Sequence, residues 1–129
     1  MSLTNKIKDS EGFNGNPYND SLGIPTIGYG TKLPLSKLES EMIMMQRLNV
    51  KISELESKKP FVKTLPDSKQ DVLYEMSYQL GVGGLLLFKR MWKAIENENF
   101  DLASKEMLNS LWATQTPKRA KKLSEIMKS

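Results

Sequence analysis

The sequence has no cysteine and no histidine among its 129 residues. Without Cys there is no disulfide, no thiol nucleophile and no zinc–thiolate centre. Without His the Ser-His and Cys-His catalytic pairs are excluded, together with the commonest transition-metal ligand. An enzyme made from this chain must move protons with carboxylates, Lys, Tyr or water, and no metal or cofactor is expected. Long apolar runs are missing as well. The longest, Gly81 to Phe88, falls far below the ~20 residues that span a bilayer, so no stable membrane insertion is expected. The opening Met1-Ser2-Leu3-Thr4-Asn5-Lys6 carries no apolar core of the signal-peptide kind. The chain is therefore not expected to direct its own export.

Excess charge is missing from most of the chain. The net charge is +4, from 19 basic and 15 acidic residues. Lys118, Arg119, Lys121, Lys122 and Lys128 face only Glu125 after position 116, which leaves 14 residues of each sign before it. A basic C-terminal run of this kind attracts anionic polymers or acidic lipid surfaces. It equally fits a solvated helix end that favours solubility.

What is present is unevenly spread. Residues 12–34 hold five of the eight glycines and three of the six prolines, mixed with β-formers, and predict short strands joined by tight turns. Leu3 to Ser10 predicts a short helix with Leu3 and Ile7 on one face. Ser36-Lys37-Leu38-Glu39 matches a capping box. Leu38, Met42, Met45, Ile52 and Leu55 then repeat at helical spacing, predicting one long helix over 36–58, with the methionines as core filler. Asp67 or Ser68 is the expected cap of a helix with the stripe Val72, Leu73, Met76 and Leu80, ending near Gly81. A turn at Gly83-Gly84 and helices at about 85–97 and 101–111 follow. Thr116-Pro117 opens a last helix. The expected class is α+β, mainly α. It has a small β-containing N-terminal lobe (about 12–34), a connecting helix (36–58) and a helical lobe (about 60–129 with the N-terminal helix). A crevice between two lobes is a common binding place.

Three acidic residues precede Glu39: Asp9, Glu11 and Asp20. Glu11 ends the first helix and Asp20 lies in the turn-rich region. Two carboxylates suffice for glycoside hydrolysis, one as acid and one as base or nucleophile, without His, Cys or metal. On these residues alone, ordinary surface charges are the favoured reading. Gly28-Tyr29-Gly30 supplies a GxG, but Leu33 stands where a dinucleotide motif needs its third glycine.

Glu11-Gly12, Tyr18-Asn19-Asp20, Gly23 and Thr26-Ile27-Gly28-Tyr29-Gly30 together resemble the phage-type lysozymes, glycoside hydrolase family 24. Tyr78-Gln79-Leu80-Gly81 is similar to that family's aromatic-Gln-apolar-Gly segment. Trp112 followed by Gln115-Thr116-Pro117-Lys118-Arg119-Ala120 is similar to its Trp and Gln-Thr-Pro-x-Arg-Ala signature. The resemblance implies a single lysozyme-like domain of two lobes. It implies Glu11 as general acid, Asp20 as stabiliser of sugar charge or activator of water, and Thr26 as a holder of that water. It implies Lys32, Tyr78 and Gln79 as substrate contacts. It places Arg119 in the substrate site, approaching Glu11. The implied substrate is the β-1,4 bond between N-acetylmuramic acid and N-acetylglucosamine of peptidoglycan. The family's usual His is replaced by Thr31.

The resemblance implies a phage or prophage endolysin. It is expected to act as a monomer and to wait in the host cytoplasm until a separate route, such as a holin, admits it to the wall. The alternative is a non-catalytic binder of cell wall or other anionic polymer through the basic run. Nucleic acid is not the expected partner, because aromatics for base stacking are absent from that run.

Overall fold

Ser2 accepts a hydrogen bond from the Asn5 amide and caps helix α1, Leu3–Glu11. Gly12 ends it at φ 69°, its amide donating to the Lys8 carbonyl. These two caps frame the start of the computed structural model, which describes residues 2–129. Neither Leu3 nor Ile7 is buried, so the expected apolar face of α1 covers no core.

Three short strands follow in the antiparallel order β1-β2-β3: Asn14–Asn19, Pro25–Gly28 and Thr31–Lys32. The register sets Tyr18 opposite Thr26, and Thr26 opposite Lys32. The β1-β2 turn closes on Gly23 at φ 78°, a left-handed conformation that glycine adopts without a Cβ penalty.

Helix α2, Lys37–Lys58, starts at the expected capping box. The Glu39 amide donates to Ser36 Oγ at 3.1 Å, and the Ser36 amide donates to Glu39 Oε1 at 2.8 Å. The expected buried stripe is a different matter. Leu55 alone is buried; Ile52 is half-buried, and Leu38, Met42 and Met45 are exposed. A helix of 22 residues is about 33 Å long, and only its last turns carry a core residue. The methionines that fill core are instead Met76, Met91, Met107 and Met127.

Two compact units divide the chain: one runs to Ile43, the other is Met44–Ser129. Helix α1 groups with the sheet in the first unit. Local packing accounts for this: the Glu11 side chain rests at Gly30, and Lys8 lies 5.6 Å from the Tyr29 ring centre.

In the second unit a 3-10 turn at Pro60–Thr64 leads to α3, Asp67–Leu86. Pro66, rather than Asp67 or Ser68, precedes its first turn, and no side chain caps it. Gly81 breaks the helical geometry at φ 77°, where an end was expected, but Gly83 and Gly84 continue as helix instead of forming a turn. The segment expected at 85–97 is interrupted at Leu87-Phe88 before α4, Lys89–Glu96. Helices α5 (Phe100–Leu108), α6 (Leu111–Gln115) and α7 (Pro117–Lys128) complete the unit. Helix α6 was not separately predicted; its Ser110 cap, which accepts from the Ala113 amide, is its clearest local signal. Val72, Leu73, Met76, Leu85, Ile95 and Met107 are among the residues that form the apolar core. Lys69 is also buried there. Its ammonium donates to the Met127 carbonyl at 2.7 Å and lies 4.3 Å from the Phe100 ring centre.

Candidate active site

The candidate residues of the first unit are tied together by a few polar contacts. Asp20 follows β1, and its carboxylate is held on both oxygens. The amides of Leu22 and Ile24 each donate to Oδ1 at 2.9 Å. The Lys32 ammonium sits 2.5 Å from Oδ2. This folding is local: a short Asp side chain at a tight turn accepts the amides just ahead of it. Strand pairing then brings Lys32 across the sheet. The Lys32 hydrogen bond, followed by the Ile24 amide, holds the Asp20 carboxyl below its ordinary value against partial burial. These contacts favour the charged form of Asp20.

Thr26 shares this arrangement through Ile24. The Thr26 hydroxyl donates to the Ile24 carbonyl at 2.8 Å, while the Ile24 amide holds Asp20. The Thr26 side chain is fully buried. With its proton committed, its oxygen retains the capacity to accept.

Glu11, the last residue of α1, is exposed and leans on the backbone of Gly30. A Cβ on Gly30 would overlap the Glu11 carboxylate, and Gly30 has φ 74°. Glycine suits this position for its positive φ, and a Cβ there would also push the Glu11 carboxylate aside. Lys32 feels both acids: the Asp20 hydrogen bond does most to raise its pKa, and the charge of Glu11 adds to it. Glu11, Asp20, Thr26 and Lys32 thus belong to one unit. Lys32, expected as a substrate contact, has its ammonium on Asp20.

The remaining candidates stand in the second unit. Tyr78 lies exposed on α3, and Gln79 beside it accepts a hydrogen bond from the Trp112 indole at 2.8 Å. The Arg119 Nε donates to Glu75 at 2.8 Å. Sequence reading missed Glu75, although it lies one turn before Tyr78 and Gln79 on the same helix. It also missed that Trp112 and Gln79 are partners. Trp112, together with Leu80, Phe88 and Leu111, lines a groove of about 520 Å³ within this unit. Arg90 and Glu106 bring charge to its wall.

The Phage lysozyme family profile matches residues 8–126. A relative named probable T4-type lysozyme 1, from Dictyostelium discoideum, is 31% identical over 98 residues. That match covers 74% of this chain and 58% of the relative, so the chain spans less than two-thirds of that protein's length. Probable T4-type lysozyme 2 of the same organism is 29% identical across 99% of this chain and 94% of its own length. The pre-baseplate central spike protein Gp5 of Enterobacteria phage T4 is 26% identical over 98% of this chain, which corresponds to 28% of that longer protein. With two carboxylates, a buried threonine and the Trp–Gln pair in one sequence, and a family match across almost all of its length, the chain belongs to the phage lysozyme family.

Proposed function

We propose that this chain is a muramidase, a glycoside hydrolase that cleaves the β-1,4 bond between N-acetylmuramic acid and N-acetylglucosamine in peptidoglycan. The observation that carries this reading is Asp20, pinned on both carboxylate oxygens, in the same small unit as a Glu11 not engaged in any ion pair among the described residues. In such a pair one carboxyl donates a proton to the leaving oxygen, and the other stays charged opposite the sugar.

In this reading Glu11 protonates the glycosidic oxygen. Asp20, which Lys32 and two amides hold in place, stabilises positive charge at the sugar or activates a water. Thr26, tied to the same Ile24, accepts a hydrogen bond from that water. Pre-set dipoles and charges of this kind lower the barrier because they need not reorganise during reaction. Tyr78 and Gln79 contact sugar, the latter oriented by Trp112. Arg119 belongs to the substrate site, with Glu75 fixing its guanidinium. The chain then works as a single lysozyme-like domain and as a monomer. It reaches the wall from the host cytoplasm by a separate route such as a holin.

Incubation of the purified protein with cell walls tests the reading. New reducing ends mark a hydrolase. Co-sedimentation with walls and no new ends marks a non-catalytic binder.

A further inference from the structure

Most of the excess positive charge of this protein lies on one surface that the proposed hydrolase chemistry does not use. Helix α7 buries Ala120, Leu123, Ser124 and Met127 against the core. Its opposite face carries Lys118, Lys121, Lys122 and Lys128, all exposed, with Glu125 among them. At 100° per residue these positions span an arc of about 120° along the helix. Among the described residues, none of the four lysines pairs with a carboxylate; only Arg119, turned towards Glu75, does so on this helix. Residues before Pro117 carry 14 charges of each sign, so with four lysines against Glu125 this face holds +3 of the net +4.

We infer that the outer face of α7 is a docking surface for a phosphodiester polymer of the cell wall, and that it holds the hydrolase on its insoluble substrate. The inference rests on the muramidase reading for its setting. Charge complementarity carries it. Flexible ammonium groups bind phosphate as point charges and require no fixed ligand shape. A repeating phosphate chain offers many equivalent registers along such a face. A membrane is a poorer fit, because the apolar residues of α7 are committed to the core and have nothing left to insert. A single-stranded nucleic acid is poorer too, since Pro117–Lys128 contains no aromatic residue for base stacking. A protein partner would lack an apolar anchor on this face.

The test compares three proteins that are shown by thermal melting to be folded: the wild type, a Lys121→Gln/Lys122→Gln/Lys128→Gln variant, and a Lys6→Gln/Lys37→Gln/Lys58→Gln variant. The last loses equal charge from exposed positions on α1 and α2. Binding is read by co-sedimentation with inactivated walls that carry the polymer, and with the same walls after acid has stripped it. Hydrolysis of stripped peptidoglycan is read separately. The wild type and the α1/α2 variant should bind intact walls alike. Stripping the walls or changing α7 should weaken binding about tenfold or more, and so should raising salt from about 50 to 200 mM. All three proteins should hydrolyse stripped peptidoglycan equally. Equal binding to stripped and intact walls overturns the inference. So does an equal loss in the two variants, or tighter binding to phosphatidylglycerol vesicles or DNA than to the purified polymer. Absence of hydrolysis in every protein would instead sink the muramidase reading, while the binding result would still decide the docking surface.

Discussion

The Lys32 ammonium lies 2.5 Å from Asp20 Oδ2, while two backbone amides hold the other carboxylate oxygen. The contact gives a residue on β3 control over the charge of a turn residue twelve positions earlier. Lys32 is the largest cause of the lowered Asp20 pKa. Its removal should raise that pKa towards the ordinary 3.8. A catalytic Asp20 would then become protonated at higher pH, and the acid limb of activity should move up. The Asp20 contribution to stability has the same sign. It is fully present above the unfolded value, and is lost as pH falls through the lowered folded value. A pH–rate profile of Lys32→Met checks this; an acid limb that stays in place would separate Lys32 from the chemistry.

Gly30 is predicted to be the glycine least tolerant of alanine. Alanine at its positive φ costs roughly 1–3 kcal/mol, and its Cβ displaces Glu11. Gly28 also has positive φ, but it has open space where a Cβ would stand. Gly30→Ala should therefore lose both stability and hydrolysis, whereas Gly28→Ala should lose stability alone. Thermal melts and wall-hydrolysis rates of the pair provide the comparison.

Lys69 is buried with no acidic partner among the described residues and donates to the last turn of α7. Burial lowers its pKa, so the folded state binds this proton less tightly than the unfolded chain does. Stability should rise with pH between the lowered folded value and 10.5. The Lys69→Met variant lacks this alkaline gain. The melting temperature of the wild type, relative to that of Lys69→Met, should therefore rise from neutral pH to about pH 10, and a difference that does not change with pH would contradict this.

The Trp112 indole N–H donates to Gln79 from a nearly buried ring. Trp112→Phe keeps most of the apolar contact, including that with Phe88, but leaves Gln79 Oε1 without its donor. The expected loss is about 1–2 kcal/mol, read as a fall in melting temperature of about 4–8 °C. An unchanged melting point would mean that Gln79 finds another partner at no cost.

Much of this was legible in the sequence, for identifiable reasons. The Ser36–Glu39 capping box is a contact between near neighbours, and it formed as read. So did the strand-and-turn character around Gly23 and the stripe of α3, because each is set by residues a few positions apart. The outer turns of α2 were misread because periodicity shows that a helix has an apolar side, not that anything covers it. Met42 and Met45 have the pattern and lie exposed. The pairings Lys32–Asp20, Arg119–Glu75 and Trp112–Gln79 join residues 12, 44 and 33 positions apart, and no local rule reports such contacts. The motif named candidates, but only the fold showed which of them touch.

In the proposed mechanism Glu11 supplies the proton that breaks a glycosidic bond. Glu11→Gln keeps the size of the side chain and removes its acidity. The measurement is the rate at which new reducing ends appear from purified peptidoglycan, with melting curves to show both proteins folded. The fold should be unchanged and the rate at least about a hundredfold lower, the usual scale of general acid catalysis. A folded Glu11→Gln protein that releases reducing ends at the wild-type rate would contradict this mechanism.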